Sequence, residues 1–104
     1  MKFFLKIHQL NNQKVITICD ENLLKKEFKE NELILKIDEP YFGGILKDFS
    51  TILELIKETN QETIIHAVGS EISKKFIEEN IIEEENLNYI ADIPYFMILI
   101  SNFD

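Results

Sequence analysis

Asp38-Glu39-Pro40-Tyr41-Phe42-Gly43-Gly44 lies between two apolar runs and holds one of the two prolines and two of the three glycines in the chain. Pro40 fixes its own φ and biases Glu39 away from the helical region. Gly43 and Gly44 permit a positive φ or a close backbone approach. Tyr41 and Phe42 sit between these breakers. One reading is a turn or bulge whose aromatics anchor it to the core. The other is a loop that presents backbone to a partner. Aromatics beside turn glycines usually pack, so the residue types favour the first.

The flanks read outward from this segment. Leu33-Ile34-Leu35-Lys36-Ile37 is a strand leading into it, and Ile45-Leu46-Lys47 a short strand leaving it. Further back, residues 2–9 alternate as a half-buried strand does, Phe3, Leu5 and Ile7 against Phe4, Lys6 and His8. Asn11-Asn12-Gln13 is turn chemistry, and the β-branched run 14–19 completes a hairpin. Asp20 is placed to cap a short helix over 21–29, with Leu24 and Phe28 on its inner face, Lys25, Lys26 and Lys29 outside, and Asn31 as its stop.

Beyond the central segment, Asp48 or Ser50 caps a helix carrying Ile52, Leu53, Leu55 and Ile56, which Asn60 ends. Thr63-Ile64-Ile65-His66-Ala67-Val68 is a strand by its β-branching, or a helical turn toward Gly69. Ser70 caps a helix over 71–81 that buries Ile72, Phe76 and Ile77. Glu83-Glu84-Glu85-Asn86 is a solvated acidic connection. Leu87 to Ile100 reads as two strands around Ala91-Asp92-Ile93-Pro94. The last strand, Tyr95 to Ile100, is apolar on both sides and is expected in the middle of the sheet. These elements describe a single domain over residues 1–104, α+β or α/β, with a mixed sheet of four to six strands packed by two or three helices.

Composition narrows the function. The net charge is −8, and all eleven basic residues are lysines. A broad duplex-binding surface needs clustered Lys and Arg, so DNA is not an expected partner. No apolar run approaches the roughly 18 residues of a membrane span. Lys6, His8 and Gln9 interrupt the apolar start, which reads as a first strand of a cytoplasmic protein rather than a signal peptide. The single cysteine, Cys19, excludes an internal disulfide and a cysteine-based zinc site, and reads as a buried inert thiol.

Three places could bind. Val68-Gly69-Ser70-Glu71 would set free backbone amides at a helix start, where an anion can sit. Packing and capping are the favoured reading, since one glycine falls short of a phosphate fingerprint and Glu71 would repel an anion. His66 and His8 are the only histidines, and neither has a partner near in sequence. No metal site, cofactor or catalytic set follows from them. Lys25, Lys26 and Lys29, with exposed faces of Tyr41 and Phe42, could contact RNA by charge and stacking, or could be a solvated helix face.

Taken together, Ile18-Cys19-Asp20-Glu21-Asn22-Leu23-Leu24, Phe28, Tyr41-Phe42-Gly43-Gly44, Ala67-Val68-Gly69-Ser70-Glu71 and Ile93-Pro94 resemble, in order and spacing, the archaeal domain-of-unknown-function family 424. The resemblance covers nearly the whole chain. It implies a small, single-domain, cytoplasmic archaeal protein without an established activity, and an association with translation or RNA. Lys25 stands where that family commonly has glycine and His66 where it has asparagine. Tyr95-Phe96-Met97 follow Pro94 where polar residues, including a histidine, are usual. The expected function is a non-catalytic binding module that meets the translation apparatus through protein or RNA. The alternative is a small anion or nucleotide binder, or an enzyme, using His66, Gly69 and Ser70. A homodimer covering an apolar patch is a third expectation.

Overall fold

A computed structural model describes residues 1–101. In chain order the elements are β1 (Lys2–Leu10), β2 (Gln13–Asp20), a 3-10 turn (Glu21–Leu23), β3 (Glu27–Glu30), β4 (Leu33–Lys36), α1 (Glu39–Phe42), β5 (Ile45–Asp48), α2 (Phe49–Lys57), β6 (Thr63–Val68), α3 (Ser70–Glu78), a second 3-10 turn (Glu84–Asn86), β7 (Asn88–Ile90) and β8 (Ile93–Ile100). Six strands form one sheet in the order β5-β1-β2-β6-β8-β7, and β3 pairs with β4 alone. β2 runs parallel to β6, and the other pairs are antiparallel. The architecture is therefore α+β with a mixed sheet.

Strand alternation sorts the side chains into two layers. Phe3, Leu5, Ile16, Ile18, Ile65, Ala67 and Phe96 face α2 and α3, whose Ile52, Ile56, Ile72 and Phe76 close the main core. The helix contacts recur every four residues, as an amphipathic helix requires. Asp48 caps α2, its Oδ1 accepting from the Thr51 amide at 3.0 Å. On the other layer the excursion through residues 21–44 covers Cys19 and Val68 with Leu23, Ile37 and Phe42.

Three hairpins close through two-residue turns, at Asn11-Asn12, Asn31-Glu32 and Ala91-Asp92. Asn11 and Asn31 take φ of 56° and 57°, which asparagine tolerates. The expected helix over 21–29 does not form. Lys25 stands at φ 73°, which stops any helix there, and Phe28 lies opposite Leu35 in the β3–β4 pair. The 33–37 strand exists, shortened to Leu33–Lys36, but outside the main sheet. Residues 63–68 are a strand. β8 is not central: it lies between β6 and the short edge strand β7, and its Met97 and Leu99 are exposed. The excursion is too short to roof the whole second layer, so one half stays open.

The central segment is a single helical turn rather than a bare loop. Asp38 caps it, Oδ1 accepting from the Tyr41 amide at 2.9 Å. Neither Gly43 nor Gly44 is at positive φ. Gly44 is needed for close approach, since a Cβ there would run into the Leu5 backbone carbonyl of β1. Gly44→Val should therefore force β5 off β1 and cost about 1–3 kcal/mol, the range for an overpacked site. Urea denaturation reads this as a lower midpoint, and a variant as stable as the parent contradicts the close-approach account.

Candidate functional site

The second layer of the sheet is laid out in rows by register. Phe4, Cys19, Val68 and Tyr95 form the row under the excursion. Lys6, Thr17, His66 and Met97 form the next, and His8, Val15, Ile64 and Leu99 the one beyond. Tyr41 and Phe42 arrive from α1 at the boundary between covered and open rows.

Phe42 is buried, 2% exposed, and its ring meets His66 edge-on at 5.3 Å. Tyr41 is half-buried, lies against His8 with ring centroids 5.3 Å apart, and meets both Phe42 and His66 edge-on. Its carbonyl accepts from the Thr17 hydroxyl at 2.6 Å and from His8 Nε2 at 3.0 Å. Lys6 Nζ donates to the neighbouring Pro40 carbonyl at 2.8 Å. The Tyr41 hydroxyl reaches His66 Nδ1 at 3.0 Å. Three sheet residues thus hold the backbone of α1, and a fourth holds its aromatic tip.

Burial alone pushes the His66 pKa below its ordinary 6.5. A neutral ring fits the geometry, with Tyr41 O–H donating to Nδ1 and the ring proton on Nε2. Burial, then the Asp38 charge, raises the Tyr41 pKa and keeps its proton in place. Burial, then the adjacent Asp20 charge, pushes the Cys19 thiol up to about 12. Such a thiol is a poor nucleophile at neutral pH, as its apolar strand suggested.

The start of α3 is already filled. Gly69 precedes the helix at φ 128°, and Ser70 opens it without a side-chain cap. Asp20, at the end of β2, supplies the cap instead. Its Oδ2 accepts from the Glu71 amide at 3.0 Å and its Oδ1 from the Ile72 amide at 2.9 Å. A Cβ on Gly69 would collide with that carboxylate. Asp20 therefore does not cap the 3-10 turn that follows it, and Ser70 does not cap α3. Burial raises the Asp20 pKa, the two amide bonds lower it, and the Glu71 charge raises it. The folded state holds this proton more tightly than the unfolded one. Its contribution to stability is full below the ordinary 3.8 and is lost as pH rises through the raised value.

The structure thus brings Tyr41, Phe42 and His66 together and adds His8, Thr17 and Met97. Gly69 and Ser70 lie past the covered end of β6, away from the open rows. Lys25 and Lys26 lie on the turn before β3, and Lys25 Nζ sits 3.7 Å from Glu39 Oε1 in an exposed pair worth little. No exposed Phe42 face accompanies them. Thr17 was not singled out from the sequence, although a lone hydroxyl inside the apolar run 15–19 is its visible signal. Among the described residues no group of three or more His, Cys, Asp or Glu side chains is arranged to hold a metal. No helix among them is long and apolar enough to cross a membrane.

The fold and this surface define a small α+β domain whose sheet is helix-covered on one side and half open on the other. The chain belongs to the family described as Protein of unknown function (DUF424), whose model matches residues 8–100. Its fold is similar to the crystal structure of an uncharacterized conserved protein from Methanopyrus kandleri, with a TM-score of 0.84 and 23% identity, over 100% of this chain and 96% of that one. No curated protein matches the chain.

The lowered His66 pKa fixes a sign. The folded state binds the proton less well than the unfolded one, so His66 contributes stability above pH 6.5 that is lost as pH falls toward its folded value. His66→Asn keeps an acceptor for Tyr41 without a titrating ring. The difference in unfolding free energy between parent and variant should move against the parent as pH drops below 6.5. A pH-independent difference contradicts the neutral, half-buried histidine.

Proposed function

We propose that the chain is a cytoplasmic, non-catalytic binding module that captures a protein of the translation apparatus on the open half of its sheet. One observation carries the surface: Met97 and Leu99 are 59% and 56% exposed on adjacent rows, flanked by Ile64 and Val15 and bounded by the Tyr41–His66–His8 group. Leu10, 58% exposed, lies on the same side of β1. Grouped exposed apolar side chains of this kind mark interaction surfaces. The translation apparatus is chosen on the family resemblance.

The polar groups at the boundary support a binding role over catalysis. Tyr41 O–H is committed to His66, and Thr17 and His8 to the Tyr41 carbonyl. The charge of −8 favours protein over RNA. Lys6, the lysine on these rows, is engaged with the Pro40 carbonyl. The anion reading at Gly69 and Ser70 is not favoured, because Asp20 takes the two amides an anion would use.

Met97→Glu and Leu99→Glu place charge on the open rows without disturbing a buried contact. Each should keep the parental melting temperature and lose most partner capture from a lysate of the host cell. Capture should survive nuclease treatment. Capture by both variants at the parental level contradicts the surface, and loss on nuclease treatment shows RNA in place of protein. A dimer in light scattering that both substitutions convert to monomer would assign the face to a second copy instead.

A further inference from the structure

A groove of about 380 Å³ runs along the helix side of the molecule, between α3 and the segment from Glu84 through β7 into β8. Ile77, Leu87 and Pro94 make its apolar floor. Glu78, Glu84 and Asp92 bring three carboxylates to its walls against the single ammonium of Lys74. Tyr89 also lines it and is 51% exposed, a large aromatic left in solvent on an edge strand. Ser73 lines it as well. That residue is 2% exposed, and its Oγ is buried without a hydrogen-bond partner among the described residues. A buried hydroxyl left unpaired costs free energy until something supplies its partner.

We propose that this groove seats a basic segment of a protein partner, with a lysine or arginine side chain against Tyr89. The inference rests on the binding-module reading but uses a different surface from the open sheet. An aromatic face and several carboxylates favour a cation, and an ammonium or guanidinium can donate to the free Ser73 oxygen. An apolar floor suits the methylene stem of such a side chain, whose charged head stays toward the carboxylates. Charge complementarity selects the occupant. A chain of net charge −8 repels an acidic partner or a second copy of itself and attracts a basic one. The turn that carries Asp92 is held in place from outside, since Ala91 N donates to Glu30 Oε1 at 2.8 Å.

The test is an amide-resolved NMR titration of the full chain with an acetylated, amidated octalysine peptide at about 0.15 M salt, where long-range surface attraction is screened. Saturable shifts should centre on Ser73, Lys74, Tyr89 and Asp92. Tyr89→Ala and Asp92→Asn should each weaken binding about fivefold, as loss of a cation–aromatic or charged contact does. Ser73→Ala should weaken binding while leaving the melting temperature no lower, because the hydroxyl has no partner to lose. Glu54→Gln with Glu58→Gln, on and just after α2, should change nothing. Shifts spread over the acidic surface, or equal weakening by the α2 pair, would overturn the groove as a site. Free spermine binding there as tightly as the peptide would overturn the peptide assignment. Leu99→Glu should leave octalysine binding intact. Failure of the groove variants thus leaves the open-sheet reading standing, and failure of the sheet variants leaves the groove standing.

Discussion

The Asp20 carboxylate at the start of α3 is the contact on which the arrangement turns. It joins the end of β2 to a helix fifty residues further along, through the Glu71 and Ile72 amides. It satisfies two of the helix's orphan donors from a strand rather than from the local sequence. It also dictates its neighbour, because only a residue without a Cβ leaves room for it at position 69. Burial makes the carboxylate expensive, and the raised pKa records that cost. With α3 set on β2 and β6, the main core can close over Ile72 and Phe76. The same contact has a functional consequence, since it fills the helix terminus that would otherwise attract an anion.

The opposite layer follows a comparable logic at lower stakes. Residues 21–44 leave the sheet, make a small hairpin, and return through α1. Thr17, His8 and Lys6 hold that return by its backbone, and His66 holds it by Tyr41. The roof ends there. Val15, Ile64, Met97 and Leu99 continue the sheet beyond it without cover. A boundary built from neutral, mutually bonded polar groups, beside an uncovered apolar platform, is the feature on which the proposed capture of a protein rests.

Much of the fold was legible because its signals are local. The alternation in residues 2–9, the β-branched run at 14–19 and the turn at Asn11-Asn12 each reflect a short-range preference, and each is present. Asp20, Leu24 and Phe28 misled for a physical reason. Their spacing fits a helical face, but it also fits a turn followed by a strand. The deciding fact is the left-handed backbone of Lys25 at φ 73°. Glycine takes that state freely and would have flagged it, whereas a lysine gives no local sign of it. The partners of His8 and His66 were hidden because both lie more than twenty residues away, on a segment placed by tertiary packing. β8 read as central because its two faces are equally apolar, and only the length of the excursion decides which rows are covered.

The most direct test of the account is a double-mutant cycle on Asp20→Ala and Gly69→Ala, read by urea denaturation. Each single change should destabilise the protein, Asp20→Ala by stranding two amides at about 1–3 kcal/mol, Gly69→Ala by collision and strained φ. The double variant should be more stable than the sum of the two losses predicts, by about 0.5–3 kcal/mol, as contacting residues show. The collision has no partner once the carboxylate is gone, and only the φ strain remains. Strict additivity would contradict the claim that this carboxylate closes α3 and sets the need for glycine beside it.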